Sequence, residues 1–430
     1  MKRKWWVILA GAVLVVAIWL SLGGRSRIIR DYEPGSAGIV GLAPDGRLAL
    51  FGTNGLTMIN EHGDLEVIPV SGAGAWGGWP VALWGTNGVV VYEQMLGGGG
   101  SLQALDWAGN EHWSFLTNAP IGLPASDAAG NVCFFGPNWK VLSFAPNGRQ
   151  RWAYPYRAAA PGFQLRSVSP IVSVDGRVAI LGDRPSGLVM LDSSGTEQWR
   201  RTTVAGGFME SGGAFAPTGD LLARVGWELW KIDPAGEVLW QFDMAEAVTN
   251  RNRVNSGMFA PISGPDGTIY CSVGQWVFAI GSDGVLQWKF RRDASADGNT
   301  STIVGTGQSW GSLSADGDLI VIAGDWESLT ATGTGVARTI YSLVDNERVV
   351  CLNRDGEVKW EQSFPSSIYW SVPRNRVDLT MWWNSRMGLR VSKHLNRPTL
   401  TPEGIVYVSG WANRRSKIWA IRSDDKTGSR

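Results

Sequence analysis

The sequence predicts an all-β protein, a single eight-bladed β-propeller, with an N-terminal transmembrane helix in front of it. The fold class follows from a unit of short strand-like runs joined by tight turns, and from the recurrence of that unit. The unit is clearest at 264–290, GPDGTIYCSVGQWVFAIGSDGVLQWKF. Asp-Gly between runs of β-branched and aromatic residues is a strong hairpin signal, because glycine accepts the positive φ that tight turns need. Such a unit cannot bury its apolar faces alone, so it must stack against copies of itself.

The second half of the unit recurs through the chain. Its pattern is an apolar residue, often followed by Asp or Asn, then two residues, Gly, three residues and Trp. The Trp positions are Trp113, Trp152, Trp199, Trp240, Trp288 and Trp360. An earlier copy, from Ile59 to Val67, keeps the spacing but has no Trp.

The first half of the unit gives an independent count of repeats. It is a turn glycine followed by an apolar run, and the glycines are Gly46, Gly88, Gly130, Gly176, Gly219, Gly267, Gly317 and Gly404. Successive members are 42, 42, 46, 43, 48, 50 and 87 residues apart. A period in the forties with several strands in each period is the signature of propeller blades, as in WD-like repeat architectures. The count is eight.

Composition narrows the function classes. Only 18% of the 430 residues are charged and 56 are Gly, which suits many short strands joined by tight turns. The formal net charge of +1 gives no global field to recruit nucleic acid. The cysteines, Cys133, Cys271 and Cys351, fall in three different repeats, which argues against a disulfide framework and a Cys-type metal site. Each is expected to be a small buried apolar residue.

The N-terminal segment, 1–25, is interpreted as a membrane anchor. Lys2-Arg3-Lys4 is followed by the uncharged stretch Trp5–Leu22, whose eighteen residues are about enough to span a bilayer as a helix. Small residues at Ser21 and Gly23 leave a cleaved signal peptide as the alternative. The propeller, 26–425, is expected outside the cytoplasm, in the periplasm or extracellular space, either anchored or secreted. Residues 426–430 form a C-terminal tail.

The closure of the ring is predicted from the last repeat. It has strand-like runs at Ile405–Ser409 and Lys417–Ile421 but no Trp-bearing fourth strand before the chain ends. An open sheet edge is an aggregation hazard. The unassigned strand-like segment Ser26–Tyr32 is therefore predicted to pair into blade 8 and close the ring.

Two segments depart from the regular period. Repeat 7 has an insert at about Asp325–Glu347, and the connection Ser363–Asn396 joins repeats 7 and 8. Long connections between tight repeats are typical of functional or disordered loops. The candidate partner-binding residues in the second segment are Trp370, Arg374, Arg376, Trp382, Trp383, Arg386 and Arg390. A loop that only plugs one end of the propeller is the alternative.

Two motif matches are attributed to chance. Gly72–Gly77 fits G-x-G-x-x-G and Gly307–Gly311 fits G-x-S-x-G, but strand-like sequence follows both, where nucleotide sites and hydrolase elbows need a helix. The three histidines have no metal-ligand spacing. No catalytic, cofactor-binding or metal residue is assigned.

The set of Asp/Asn-x-x-Gly-x-x-x-Trp motifs resembles the pyrroloquinoline-quinone-type (PQQ-like) propeller repeat family, over nearly the whole chain outside 1–25. The resemblance implies that the six motif Trp residues dock between neighbouring blades. The family contains quinone-dependent dehydrogenases and non-catalytic scaffold proteins. Its enzymes use two adjacent cysteines and a calcium ion, and this chain has neither vicinal cysteines nor matching calcium ligands.

The preferred function is a membrane-tethered, non-catalytic binding or scaffold module at the cell envelope, whose partner is a protein, a peptide or a wall polymer. We expect a monomeric propeller, no cofactor and no nucleic-acid partner. The alternative is a divergent quinoprotein-type oxidoreductase, with PQQ and calcium at the mouth of the propeller channel.

Overall fold

The fold is known from a computed structural model of the chain. The structure describes residues 28–32, 37–52, 55–60, 62–70, 80–94, 99–138, 140–155, 169–183, 187–202, 208–246, 260–273, 276–291, 300–304, 310–333, 336–364, 367–369, 389–391, 395–412 and 415–423. In these ranges the structure has no helix that is long and apolar enough to cross a membrane. The predicted helix at Trp5–Leu22 lies outside the described residues and stays a prediction.

Eight antiparallel sheets form eight blades, which confirms the predicted all-β, eight-bladed propeller. Strand β1 is Ile28–Tyr32. Blade 1 contains β2 Ala37–Leu42, β3 Leu48–Gly52, β4 Gly55–Ile59 and β5 Leu65–Ile68. Blade 2 contains β6 Pro80–Trp84, β7 Gly88–Gln94, β8 Gly100–Asp106 and β9 Glu111–Thr117. Blade 3 contains β10 Ala125–Ser126, β11 Val132–Gly136, β12 Lys140–Phe144 and β13 Gln150–Pro155.

The pattern continues through the second half of the chain. Blade 4 contains β14 Ile171–Val172, β15 Val178–Asp183, β16 Gly187–Leu191 and β17 Glu197–Thr202. Blade 5 contains β18 Phe208–Phe215, β19 Leu221–Val225, β20 Glu228–Ile232 and β21 Val238–Asp243. Blade 6 contains β22 Ile262–Ser263, β23 Ile269–Val273, β24 Trp276–Ile280 and β25 Leu286–Arg291.

The last two blades are less regular. Blade 7 contains β26 Thr300–Val304, β27 Gly311–Leu313, β28 Leu319–Gly333, β29 Val336–Leu352 and β30 Val358–Phe364. A separate hairpin, β31 Ser367–Tyr369 with β32 Leu389–Val391, follows it. Blade 8 contains β33 Leu395–Leu400, β34 Ile405–Ala412 and β35 Arg415–Arg422.

Strand β1 supplies the fourth strand of blade 8. It pairs antiparallel with β35, from Ile28 opposite Ile421 to Tyr32 opposite Ile418. The next strand after β1 opens blade 1, so the first strand of the chain joins the last blade to the first. The strand expected at Ser26–Tyr32 is therefore observed at Ile28–Tyr32 and closes the ring.

The apolar core lies between neighbouring blades. The second and third strands of a blade are buried on both sides, as in β3, β11 and β23, because each blade is covered by two others. The fourth strand alternates between exposed and half-buried residues, as in β13, because it lies at the outer rim. Cys133, Cys271 and Cys351 are buried free thiols in separate blades, which confirms their predicted role as apolar residues.

Alternate connections of an antiparallel blade lie at opposite ends, so the ring has two distinct faces. We call turn face the one that holds the tight turns between strands 1 and 2 and between strands 3 and 4. Its turns are 43–47, 60–64, 84–88, 106–110, 127–131, 145–149, 173–177, 192–196, 216–220, 233–237, 264–268, 281–285, 314–318, 353–357 and 401–405. We call link face the other one, which holds the connections between blades and between strands 2 and 3.

The turns are closed by a glycine with positive φ. In the turn 145–149, the Gly148 N–H donates to the Ala145 carbonyl at 2.9 Å, and Gly148 has φ +77°. Gly88 was predicted to be a turn glycine, and that prediction is wrong: it is the first residue of β7, paired with Asp106. In this turn the Asn87 N–H donates to the Trp84 carbonyl, and Gly85 has the positive φ instead.

Candidate functional site

Blade 7 extends beyond its neighbours as a two-stranded ribbon. β28 and β29 pair from Leu319 opposite Leu352 to Gly333 opposite Val336, with a register shift after Ala323 and another after Leu329. Among the described strands, β26 follows β28 only as far as Trp326, and β30 pairs with β29 only from Glu347. The insert predicted at about Asp325–Glu347 is therefore a paired hairpin that continues the blade past the link face.

The long connection 363–396 leaves the same blade. It begins at the end of β30, contains the hairpin of β31 and β32, and ends at β33. Of the candidate binding residues, Arg390 lies in β32, where its backbone pairs with Ile368. The others lie outside the described residues, and they are Trp370, Arg374, Arg376, Trp382, Trp383 and Arg386.

Both irregular segments start from the link face. The ribbon tip joins strands 2 and 3 of the blade, and the connection joins two blades, so both belong to that face by the alternation of antiparallel strands. The N-terminal segment starts at the opposite face, because β1 is a fourth strand and begins beside Ile421 at the end of β35. Ser423, the last described residue, also lies there, since its N–H donates to the Gly404 carbonyl of a tight turn at 2.9 Å.

A cationic aromatic cluster occupies the link-face end of blade 6. Trp276 opens β24 and pairs with Arg291, the last residue of β25. Arg291 Cζ lies 5.1 Å, and Lys289 Nζ 5.3 Å, from the centroid of the Trp276 ring. Both cationic side chains are exposed, whereas Trp276 is half-buried. The sequence alone does not indicate this cluster, because only the strand register brings residues 276, 289 and 291 together.

The Trp276 ring is held by the core between blades 5 and 6. It stacks on Phe278, with ring centroids 6.4 Å apart and planes at 22°, and packs against the cluster that contains Leu222 and Leu229. The Trp276 indole nitrogen is buried without a hydrogen-bond partner among the described residues. The ring is thus a fixed platform, and the two cations above it are placed by the sheet.

The turn face carries the opposite charge. The described residues of its fifteen turns include sixteen acidic residues and four arginines. Asp175, Asp192 and Asp266 accept hydrogen bonds within their own turns, and this lowers their pKa: the main cause is the Ser173 hydroxyl at Asp175, the Ser194 hydroxyl at Asp192 and the backbone N–H of Thr268 at Asp266. These three carboxylates therefore stay ionised at neutral pH. Because the whole chain has a net charge of +1, the rest of the molecule is net positive.

Four of the six motif Trp residues donate to the next blade. Each indole N–H bonds to the carbonyl of the residue two positions before a turn glycine. The pairs are Trp152 with Ser193 at 3.1 Å, Trp199 with Pro234 at 3.0 Å, Trp240 with Ser282 at 3.0 Å and Trp288 with Arg354 at 2.6 Å. The indole covers that glycine so closely that a Cβ there would lie within 3 Å of the ring.

The other two motif Trp residues pack against aromatic side chains of the next blade. Trp113 stacks on Phe144 of blade 3, with centroids 5.8 Å apart. Trp360 packs in one cluster with Trp419 of blade 8, which has no tight turn between its third and fourth strands because β1 comes from the other end of the chain. In blade 1, the Trp position holds Val67, which is 52% exposed.

Burial shifts the pKa of two cysteines and one arginine in the described core. Burial raises the pKa of the Cys133 and Cys271 thiols to about 12, so neither is a thiolate at neutral pH. Arg224 is fully buried between blades 5 and 6, where burial lowers its pKa and its Nη1 donates to the Ser272 carbonyl at 3.1 Å. Within the described ranges, no three His, Cys, Asp or Glu side chains are placed to hold a metal ion.

Comparison with known proteins identifies the fold. No protein-family model and no curated protein matches the chain. The structure is similar to BamB from Moraxella catarrhalis, with a TM-score of 0.52 and 14% identity, over 92% of this chain and 99% of that chain. It is also similar to the Dos1 propeller, with a TM-score of 0.53 and 10% identity, over 93% and 96%. At these identities the likeness shows the fold alone, a β-propeller.

Proposed function

We propose that this chain is a membrane-tethered, non-catalytic β-propeller of the PQQ-like repeat family, which binds a protein partner at the cell envelope through its link face. The observation that carries the proposal is the placement of the irregular segments. The ribbon of blade 7 and the connection 363–396 both leave the link face, whereas the N-terminal segment leaves the turn face.

Ring closure explains neither segment. Among the described residues of the other seven blades, no second and third strands extend as such a hairpin, and the pairing of β1 with β35 closes the ring at blade 8. An isolated two-stranded ribbon is marginally stable in water. Ordering a long connection also costs conformational entropy. A chain that keeps both on one face of one blade gains something from them, and a binding surface is the simplest such gain.

The tether gives this surface a direction. If Trp5–Leu22 spans the bilayer, five residues separate it from β1 at Ile28. At about 3.5 Å per extended residue, they reach roughly 17 Å. The turn face then lies near the membrane and the link face is directed away from it, toward a partner outside the cytoplasm.

The docking of indoles on the turn glycines of the next blade supports membership of the PQQ-like repeat family. The quinoprotein alternative has less support. The three cysteines lie in blades 3, 6 and 7, so no two of them can form the adjacent pair that the resemblance implies beside the quinone. In the part of the chain that the structure describes, no three His, Cys, Asp or Glu side chains are grouped to hold a calcium ion.

The test is capture of a partner from native membranes. The full chain, carrying a photo-crosslinking residue at position 382, is irradiated in its own membrane and the adducts are identified by mass spectrometry. A defined protein adduct is expected. Its absence, together with a quinone absorbance band and dye reduction after addition of PQQ and calcium, would overturn the proposal in favour of the oxidoreductase.

A double variant, Trp382→Ala with Arg386→Ala, separates a binding loop from a plug. A binding loop loses capture while the melting temperature barely changes. A plug loses several degrees of melting temperature, consistent with a few kcal/mol of lost packing, and capture persists.

A further inference from the structure

One edge of the blade 7 ribbon is open beyond the body of the propeller. The edge of β28 opposite β29 pairs first with β27, from Leu319 to Val321, and then with β26, from Ile322 to Trp326. Over the rest of β28, residues 327–333, no described strand pairs with this edge. A row of backbone N–H and C=O groups on a strand edge is a template for a further strand.

We propose that this open edge, residues 327–333, binds an extended segment of a protein partner, which joins the ribbon as a third strand antiparallel to β28. The inference rests on the proposed partner-binding function of the link face and adds the mode of recognition. The added strand continues the line of β26, which is already antiparallel to β28 on the same edge. In this mode of binding, main-chain hydrogen bonds supply the affinity.

The backbone of the ribbon favours β28 over β29 as the strand that pairs. The register shifts between Leu329 and Thr330, and the extra residue is Ile340, which lies in β29. An extra residue bends a strand and disturbs its ladder, and natural proteins use it to keep an edge from pairing. β28 has no extra residue over 327–333, and these seven residues are an ordinary strand length.

The sequence of the open edge points to an uncharged partner segment. The edge reads Glu-Ser-Leu-Thr-Ala-Thr-Gly, with one charge, at Glu327, and with neither Lys nor Pro. Lys and Pro are residues that discourage pairing at natural edges. A two-stranded ribbon is marginally stable in water, so a third strand also stabilises the ribbon that binds it. The segment that fits is extended, uncharged and rich in β-branched residues.

A second copy of this chain is a poorer occupant of the edge. β28 follows the turn 314–318, so it runs from the turn face to beyond the link face. Two copies with the proposed tether in one membrane hold their β28 strands in the same direction. Their open edges can then meet only as parallel strands, and parallel pairing is less stable per residue than antiparallel pairing.

The first measurement uses the full chain in detergent and a fluorescein-labelled peptide, Asn-Thr-Ser-Thr-Ile-Val-Gly, which repeats residues 299–305 and so contains the sequence of β26. Fluorescence anisotropy should show saturable binding to the wild type. High salt should not weaken it, because the ladder contains main-chain hydrogen bonds and no charge pairs. Absence of binding, or loss of binding in salt, would overturn the proposal.

Two N-methylated forms of the peptide test whether the backbone carries the binding. Consecutive residues of a strand direct their N–H groups to opposite edges, so each form is methylated at one set of alternate residues. Both forms keep every side chain. One form should bind at least about tenfold more weakly and the other like the parent peptide, because only one edge of the peptide pairs with β28. Equal affinities of the two forms would overturn the proposal.

The matched protein variant shortens the ribbon. Replacing 330–340 with Asn-Gly joins Leu329 and Tyr341, which already pair, by a two-residue hairpin turn. This variant should bind the peptide at least about tenfold more weakly than the wild type. The control, Thr334→Asn, places the same Asn-Gly turn on the full-length ribbon and should bind like the wild type. Undiminished binding by the shortened ribbon would overturn the proposal, and the N-methylated peptides test it on the wild type even if this variant fails to fold.

Two further readouts identify the edge and its occupant. A diazirine side chain at the centre of the peptide should give adducts on 327–333, and adducts confined to 336–343 would assign binding to β29 and overturn the proposal. Sedimentation velocity of the protein alone should show no ribbon-dependent dimer. A dimer that the shortened ribbon does not form would assign the edge to a second copy and overturn the proposal in the same way.

Capture from native membranes separates this inference from the proposed function. If the wild type and the shortened ribbon capture the same partner equally, the function stands and the assignment to the β28 edge is wrong. If the wild type captures no partner, the proposed function itself fails, whatever the peptide shows.

Discussion

The guanidinium of Arg30 donates to the carbonyl of Gly63 at 2.7 Å, and also to that of His62 at 3.1 Å, across the seam between blades 8 and 1. The register of β1 shifts between Ile28 and Arg30, so that Arg30 pairs with Ala420 of the third strand. Each motif Trp follows the same kind of shift in its own fourth strand. Arg30 therefore holds, at the closing seam, the position that a docking Trp holds elsewhere.

Arg30→Ala should destabilise the ring by about 1 kcal/mol, because two backbone carbonyls lose a charged donor. Arg30→Trp should recover much of that loss if the position is equivalent to Trp152 and its counterparts. Urea titration of the two variants and the wild type measures both effects. Equal destabilisation by Ala and Trp would show that the seam has its own geometry.

The ring should survive loss of the N-terminal segment but not of β1. Deleting residues 1–22 leaves the pairing of β1 with β35 intact and should leave the melting temperature unchanged. Extending the deletion through Tyr32 exposes the whole edge of β35, and we expect aggregation or early melting. Light scattering measures the aggregation of the two truncated proteins, and thermal melting measures their stability. Identical results for the two would mean that β1 does not hold the ring closed.

The strand positions could be predicted because local turn chemistry determines them. The unit recognised at 264–290 contains three of the observed strands, Ile269–Val273, Trp276–Ile280 and Leu286–Arg291. The Asp-Gly turns fix where a strand starts, and the repeat fixes how many there are. The closing strand was predicted for a different reason, since an exposed edge needed a partner.

The bulges could not be predicted, and they determine which side chains meet. Each of the six Trp-bearing strands shifts register by one residue between the turn and the Trp, whereas β5, which has no Trp, does not. Counting back from Ile280 opposite Leu286 without a shift places Trp276 opposite Phe290. The shift places it opposite Arg291 instead. A register shift of one residue moves a side chain to the other face of the sheet. The contact of Trp276 with Lys289 and Arg291 could therefore not be predicted from the sequence.

Acid should destabilise the protein through its turn carboxylates. The Ser194 hydroxyl, which donates to Asp192 at 2.6 Å, is the main cause that lowers the pKa of Asp192 below its ordinary value of 3.8. A carboxyl group with a lower pKa in the folded state stabilises it above the unfolded pKa, and this contribution is lost as pH falls through the folded pKa. Asp175 and Asp266 shift in the same direction.

We therefore expect the urea midpoint to fall steeply below about pH 4. Asp192→Asn should be less stable than the wild type at neutral pH and should lose stability less steeply in acid, because it has one fewer proton to bind on unfolding. Parallel acid limbs for the two proteins would show that Asp192 does not contribute to this dependence.

Substitution of two glycines with the same backbone conformation separates the cost of backbone strain from the cost of disturbing the docked Trp. Gly46 and Gly195 have φ of +84° and +83°, and both close tight turns of the turn face. An added Cβ at Gly46 meets no atom within 4 Å, whereas at Gly195 it would lie 2.5 Å from the indole of Trp152. Gly46→Ala should cost only the left-handed backbone conformation, about 1 kcal/mol.

Gly195→Ala should cost the same strain and, in addition, force Trp152 away from the turn and from the Ser193 carbonyl that its indole N–H bonds at 3.1 Å. Overpacking of this kind adds about 1–3 kcal/mol. Urea unfolding of both variants gives the difference directly, and Trp152→Ala in the Gly195→Ala background should reduce it by relieving the clash. Equal losses for the two glycine variants would mean that the indole moves aside freely, and that the docking of Trp152 does not hold blades 3 and 4 together.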